Sequence, residues 1–289
     1  MTCRSARQRE TSRWTRLSPG ARFADHDLIT GLGSARHSSL RRKPIANSQK
    51  PIAIANSRGS MPLPVIAISN ASTCLTDAQV EAVLPALQKQ ASADFKAYWE
   101  LDCTLTFLNN GQPLTRGWWQ IVITDNPDQA GALGCHEMTT TGAPFGKVFA
   151  KLDLERGSSW TATLSHELLE MLADPWINWC AMGSDSRIYA LEVCDAVEDD
   201  RLGYKIDGVL VSDFITPAWF EPTDADRLDF KRHLSKQLEL ARGGYISIFD
   251  PSNGWTQITA KGEGGPRMAP GSRRQRRKLI RPAWRTSLR

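Results

Sequence analysis

The sequence predicts one α+β domain with a mixed sheet and a single functional helix, flanked by basic tails. Segments with the apolar period of strands are interspersed with segments of helical period between residues 61 and 260. Charge is also unevenly spread. Residues 1–60 carry 12 Lys and Arg against 3 Asp and Glu, residues 261–289 carry 10 against 1, and residues 61–260 carry 14 against 27. The basic character of the chain therefore belongs to the tails, and the central domain is acidic.

The two tails are expected to be disordered. Residues 1–60 contain few large apolar side chains and many Ser and Arg, and residues 261–289 are rich in Gly, Pro and Arg, so neither can bury enough apolar surface to offset the entropy of ordering. The composition changes at Met61, where an apolar segment begins. We interpret Met61 as the natural start, so that residues 1–60 need not belong to the native protein. The domain is expected to span 61–260.

The tails also limit the possible partners and location. The basic run Arg273–Lys278 would give at most salt-sensitive, non-specific binding to nucleic acid, and the acidic domain opposes that reading. No run of about 18 apolar residues is present, and the N-terminus lacks the apolar segment of a secretory signal. A cytoplasmic protein without a membrane partner is therefore expected.

The first half of the domain reads as one helix and several strands. Thr76-Asp-Ala-Gln79 is a capping box that predicts a helix to about Ala93, with a kink at Pro85. Apolar, β-branched and aromatic residues predict strands before and after this helix. These strands begin at Val65 and then cover Leu101–Phe107, Trp118–Thr124, Ala132–Glu137 and Gly146–Leu152.

The second half begins with the helix on which the functional interpretation depends. Ser158 or Ser159 is expected to cap it, and Asp174-Pro175 to end it, because the residue before proline is disfavoured in helical geometry. A second helix is predicted over Thr223–Leu240. The remaining strands are predicted at Ile188–Val193, Tyr204–Val211 and Tyr245–Phe249.

The functional helix carries His166-Glu-Leu-Leu-Glu170. Positions i and i+4 share one face of an α-helix, so His166 and Glu170 can bind one metal ion, while Glu167 lies beside them as a candidate general base. The rest of the helix is apolar, and carboxylates on a buried helix need a partner such as a cation. The pattern therefore predicts a metal site.

Zinc used for catalysis has about three protein ligands, and the third must come from outside this helix. The best candidates lie in Glu192-Val-Cys-Asp195, in an apolar, strand-like context. Asp195 is the first choice and Glu192 the second. If this segment is extended, the two side chains point to opposite faces, so one would be a ligand and the other would orient a ligand.

Four other polar residues fit structural roles better. His136 has no acidic or histidine partner at i+4, so a structural or substrate-facing histidine is favoured. Asp174 is better explained by helix termination, Tyr204 as a strand tyrosine, and His233 as a surface residue on the second predicted helix.

The motif carries a family resemblance. His166-Glu-Leu-Leu-Glu170, followed by Asp174-Pro175 and Glu192-Val-Cys-Asp195, resembles the zincin metallopeptidases, with Glu170 in place of the second histidine. It is similar to a group of bacterial and phage zincin-like proteins and to the plant EXORDIUM-type proteins. The resemblance covers roughly Pro62 to Pro251. It implies a zincin-like fold in which the strand before the active-site helix, here Gly146–Ala150, forms the edge of the cleft and binds substrate.

Together these observations predict a zinc-dependent hydrolase, a metallopeptidase acting on peptides or proteins. One Zn²⁺ would be held by His166, Glu170 and Asp195 or Glu192, with Glu167 as general base. The alternative is a non-catalytic protein of the same fold that the metal only braces. Nucleic-acid binding through the tails is the third interpretation.

Overall fold

The computed structural model describes residues 62–127, 132–222, 227–251 and 254–260. Both predicted tails and Met61 lie outside these residues. The strands are β1 Val65–Asn70, β2 Thr104–Leu108, β3 Trp119–Thr124, β4 Gly134–Met138, β5 Pro144–Phe149, β6 Cys180–Met182, β7 Ile188–Ala190, β8 Tyr204–Ile206, β9 Val209–Val211, β10 Tyr245–Asp250 and β11 Gly254–Thr259. The helices are α1 Asp77–Lys89, α2 Lys96–Trp99, α3 Ala150–Arg156, α4 Trp160–Ala173 and α5 Pro217–Phe220, with a π-helical stretch over Gln90–Phe95 and a 3₁₀ turn over Asp195–Val197.

The architecture is α+β with a mixed sheet, as predicted. The main sheet has the order β2-β1-β3-β5-β4, in which β1, β2, β3 and β5 are parallel and β4 runs antiparallel to β5. A second sheet has the order β11-β10-β7-β6, and β8 and β9 form a hairpin. Among the described residues, no helix combines the length and apolarity needed to cross a membrane.

Helix α1 begins where its capping box predicts. The Thr76 hydroxyl accepts a hydrogen bond from the backbone N–H of Gln79, and the Gln79 side chain accepts one from the backbone N–H of Thr76. Pro85 lies within the helix. Helical backbone continues beyond the predicted end near Ala93, through the π-helical stretch and α2, to Trp99.

Helix α4 lies at the centre of the domain. Ser159 caps it, and the helix ends at Ala173 with Asp174 as its C-cap, as predicted. Both carboxylate oxygens of Asp174 accept bonds from backbone N–H groups of Asn178 and Trp179, so this residue terminates the helix. Every residue from 162 to 173 is buried, because α4 packs against β4 and β5 on one side and the β8–β9 hairpin on another. Its polar residues are therefore buried as well.

The position of β5 corrects the prediction of the sheet edge. Gly146–Ala150 was expected to form the edge, but β5 lies between β3 and β4, and β4 is the edge strand. The strand also ends at Phe149, before the predicted Leu152, because α3 begins at Ala150. The order of strands along the chain does not determine their order in the sheet. Strand β4 precedes β5 in sequence, yet it pairs antiparallel with β5 on the outer side and so forms the edge.

The predicted helix Thr223–Leu240 is wrong over the described residues 227–240, which form turns and one isolated bridge between Ile215 and Asp229. Asp229 explains the difference. Its carboxylate accepts bonds from the backbone N–H groups of His233 and Leu234, at 2.7 and 2.9 Å. Asp side chains compete with helical hydrogen bonds in this way.

A buried polar network fixes α4 against its neighbours. The Ser165 hydroxyl donates to Gln90 Oε1 at 2.6 Å, Gln90 Nε2 donates to the carbonyl of Ser212 at 2.8 Å, and the backbone N–H of Ser212 donates to the Ser165 hydroxyl at 3.0 Å. Gln90 and Ser165 are fully buried. This closed ring of hydrogen bonds holds Ser165, the residue directly before His166. It therefore helps to set the position of His166, Glu167 and Glu170.

We expect Gln90→Ala to lower the free energy of unfolding by about 2–4 kcal/mol, because it leaves buried groups of Ser165 and Ser212 without a partner and opens a cavity. Urea denaturation followed by circular dichroism measures this. The control Gln112→Ala changes an exposed side chain and should stay within about 0.5 kcal/mol. Equal stabilities of the two variants would contradict the proposed role of the network.

Candidate metal centre

Six ionisable side chains meet between α4, β4 and the segment after β7. Two are histidines and four are carboxylates, and each is at most 8% exposed. They are His136, His166, Glu167, Glu170, Glu192 and Asp195. Five of them are the predicted site residues, which the structure brings together, and the sixth is His136.

The first group contains the predicted ligands His166, Glu170 and Asp195. His166 Nε2 lies 3.3 Å from Glu170 Oε1 and 3.3 Å from Asp195 Oδ1. One ligand atom from each residue lies within 4.8 Å of the others. Two atoms bound to one zinc ion at about 2.1 Å and tetrahedral angles are about 3.4 Å apart, so these separations fit a shared ion.

The second group forms around His136. Its Nδ1 lies 3.4 Å from Glu170 Oε2 and 3.6 Å from Glu167 Oε2, and these three residues also offer one ligand atom each within 4.8 Å. On the other side of the ring, His136 Nε2 lies 3.6 Å from Glu192 Oε2. The sequence favoured a structural or substrate-facing His136 over a ligand, and the structure places it within 3.6 Å of three of the five predicted site residues.

Glu192 and Asp195 both face the cluster, contrary to the expectation of opposite faces. That expectation assumed an extended chain from Ile188 to Asp195. Strand β7 ends at Ala190, and a 3₁₀ turn begins at Asp195, so alternation does not continue. Asp195 therefore reaches His166, while Glu192 lies behind His136.

Two effects act in opposite directions on the pKa values of the histidines: burial lowers them, and the neighbouring carboxylates raise them. Burial alone would lower the pKa of His136, but Glu167, Glu170 and Glu192 outweigh it and raise that pKa to about 10. Burial likewise opposes the charge of His166, and Glu170 and Asp195 raise its pKa well above the ordinary value. The metal-free cluster thus holds cationic histidines among carboxylates.

The carboxylates are shifted by the same two forces. Burial raises the pKa of Glu167, and burial together with Glu170 raises the pKa of Asp195 well above its ordinary value. For Glu170, the effect of burial is outweighed by His166 and His136, which hold its pKa well below the usual range. Two imidazolium ions balance only two of the four negative charges that fully ionised carboxylates would carry.

The residues present fit a divalent cation. Glu167 Oε2 and Asp195 Oδ2 are buried and lack a hydrogen-bond partner within the described part of the chain. Buried carboxylate oxygens of this kind are costly unless paired or bound to metal. Imidazole nitrogen and carboxylate oxygen together suit zinc and also harder ions.

A pocket adjoins the cluster. Its lining includes His166, Glu167, Glu170, Glu198 and Tyr245. Glu198 and Tyr245 were not among the predicted site residues. Burial, Asp195 and Glu198 raise the pKa of Tyr245 well above its ordinary value, so its hydroxyl stays protonated and can donate. Tyr204, considered as an oxyanion donor, instead donates to Asp94 at 2.8 Å, in keeping with its structural interpretation.

A third group, Asp213, Asp229 and His233, also has metal-compatible spacing. Asp213 and Asp229 are fully buried, whereas His233 is exposed and its Nε2 lies 3.0 Å from the carbonyl oxygen of Leu202. Burial, followed by the neighbouring Asp229 carboxyl, raises the pKa of Asp213 to about 9. A proton on Asp213 accounts for this carboxyl pair without a cation.

No family model, curated protein or solved structure matches the chain. The function therefore has to be inferred from the geometry of the site.

The Asp213 carboxyl should make stability fall as pH rises. Its pKa is raised from 3.8 to about 9 on folding, so the folded state binds more protons between these values and loses stability across that window. Asp213→Asn resembles the protonated form, and its amide can donate towards Asp229. Relative to the native protein, this variant should gain on the order of 1–3 kcal/mol between pH 5 and pH 8 in urea denaturation.

Asp207→Asn is the surface control for this experiment, because Asp207 is exposed. Its stability should follow the native protein at both pH values. A constant difference between Asp213→Asn and the native protein would show that Asp213 does not titrate in this window.

Because Gly134 has no side chain, Glu167 can occupy the space beside it. A Cβ atom at residue 134 would lie 2.6 Å from Glu167 Oε1 and 2.9 Å from Thr163 Cγ2. Gly134→Ala should therefore displace Glu167 and cost about 1–3 kcal/mol of stability. In a double-mutant cycle by urea denaturation, Glu167→Ala should relieve at least about 0.5 kcal/mol of that cost. Strict additivity would mean that the two residues do not compete for space.

Proposed function

We propose that this protein is a zinc-dependent hydrolase of peptides or proteins, built on a zincin-like domain. The observation that carries the proposal is the buried placement of His166 with one oxygen of Glu170 and one of Asp195 each 3.3 Å from its Nε2, next to a pocket that Glu167 also lines. The order of elements supports the zincin-like assignment, since a mixed sheet precedes a helix that carries His-Glu-x-x-Glu.

Three residues would hold the zinc ion in this proposal. His166 supplies an imidazole nitrogen, and Glu170 and Asp195 supply carboxylate oxygens. A bound zinc ion lowers the pKa of water to about 7 and polarises a carbonyl group. Glu192 lies 3.6 Å from His136 Nε2 and is not a ligand in this proposal.

Glu167 is the proton carrier. Its side chain lines the pocket and occupies the space that a Cβ at residue 134 would need. It takes a proton from the attacking water as the C–O bond forms, and it gives that proton to the leaving amine as the C–N bond breaks. Tyr245 lines the same pocket, and in this proposal its hydroxyl would donate to the substrate carbonyl.

The pocket lies beside the edge strand of the main sheet. Leu133 and Gly134, at the start of β4, line it. An extended peptide can bind a sheet edge through backbone hydrogen bonds. The edge proposed for substrate binding is therefore β4, in place of Gly146–Ala150.

A metal-braced, non-catalytic protein is the second candidate. The near-complete burial of all six site residues favours it, because a catalytic site needs an approach for substrate. The two candidates predict the same metal content and differ only in hydrolysis, so one experiment separates them. Nucleic-acid binding would depend on the tails, which lie outside the described residues.

The purified full chain should contain stoichiometric zinc by mass spectrometry and should cleave members of a peptide mixture. Glu167→Gln should lower the cleavage rate by at least about 100-fold, because the proton carrier is lost. Glu155→Gln is the matched control, since Glu155 is exposed, and it should cleave normally.

Each outcome bears on one part of the proposal. A chain that binds no metal would refute the metal centre. Bound metal without cleavage of any peptide would favour the metal-braced protein. Cleavage that survives Glu167→Gln would remove Glu167 from the mechanism.

A further inference from the structure

We infer that the cluster is built for two divalent cations, which share Glu170 as a bridging ligand. This inference rests on the proposed function in taking the cluster as a metal centre, and it adds a second ion and gives His136 a role as a ligand. The first ion lies at His166, Glu170 and Asp195. The second lies at His136, Glu170 and Glu167.

The two oxygens of Glu170 carry the argument. Oε1 lies 3.3 Å from His166 Nε2, and Oε2 lies 3.4 Å from His136 Nδ1. Each oxygen thus faces a different histidine. A carboxylate that binds one ion through each oxygen requires this arrangement, which is common where two metal ions lie about 3.5–4 Å apart.

The spacing within the second group matches that of the first. His136 Nδ1 is 3.4 and 3.6 Å from its two carboxylate neighbours, close to the separation of about 3.4 Å between two ligands of one tetrahedral ion. Glu167 Oε2 is buried, has no hydrogen-bond partner in the described residues and lies 3.6 Å from His136 Nδ1.

Glu192 lies next to the second group, on the far side of the His136 ring. It lies 3.6 Å from His136 Nε2, on the side of the ring opposite Nδ1. Histidines that bind metal through one nitrogen usually donate from the other to a carboxylate, which fixes the tautomer and the ring. Glu192 is therefore a positioning residue for His136.

In this inference the two oxygens of Glu167 have different surroundings. Oε2 faces His136 and the second ion, whereas Oε1 packs against Gly134 at the pocket. Charge favours the same conclusion. Two dications would carry as much positive charge as four ionised carboxylates carry negative charge.

The test is the number of ions per chain. The full chain, stripped of metal and dialysed against Zn²⁺, should bind two ions by mass spectrometry and calorimetry. His136→Ala should bind one, and His233→Ala, the matched histidine control, should bind two. With Mn²⁺, the native chain should show the electron paramagnetic resonance signal of an exchange-coupled pair, and His136→Ala should not.

A gentler variant covers the case in which His136→Ala fails to fold. Glu192→Gln keeps the volume of the side chain and should weaken the second ion by about 10–100-fold, while the first ion binds normally. Circular dichroism of each variant confirms that it is folded.

The outcomes distinguish this inference from the proposed function. One ion per native chain overturns the second site and leaves the hydrolase proposal intact. Loss of an ion in His233→Ala places it in the Asp213–Asp229 group and also overturns the inference. Two coupled ions without peptide cleavage support the inference and refute the hydrolase.

Discussion

The fold depends on placing charged side chains on a helix that is buried along nearly its whole length. Helix α4 has the main sheet on one side and the β8–β9 hairpin on another, and its buried residues His166, Glu167 and Glu170 line a pocket. Burying an uncompensated charge costs far more than a typical domain can spare. The domain therefore needs opposite charge at this point, whether protons or metal ions supply it.

The scaffold holds the cluster through contacts that are not themselves charged. On the sheet, Gly134 and Gly146 face α4, and a Cβ at Gly146 would lie 3.0 Å from Met171 Cε. The missing side chains let the helix approach the sheet. On the other side, Gln90 and Ser165 fix the rotation of the helix through buried hydrogen bonds. Close packing and directional bonds together define where the carboxylates point.

Local signals in the sequence predicted what depends on local physics. The Thr76 capping box, the Ser159 cap and the stop at Asp174-Pro175 are set by a few neighbouring residues, and the structure shows all three. The spacing of His166 and Glu170 follows from helical period alone. Asp195 could be selected because a carboxylate in an apolar segment needs a partner.

Other features depend on contacts between distant segments, which no local pattern contains. His136 comes to the site only because β4 pairs with β5 outside the parallel strands, which sets His136 opposite Gly146. Its partners are 31 to 56 positions away in sequence, so the i+4 criterion could not detect them. Likewise, Asp229 redirects residues 227–240 through bonds to backbone N–H groups, which helical period does not reveal.

The carboxylate at position 170 is best explained by the two histidines together. A histidine there would offer one nitrogen towards His166, and its second nitrogen would point away across the ring. Glu170 presents two oxygens from one carbon, one towards His166 and the other towards His136. Glu170 therefore contacts both histidines, although only His166 lies on the same helix.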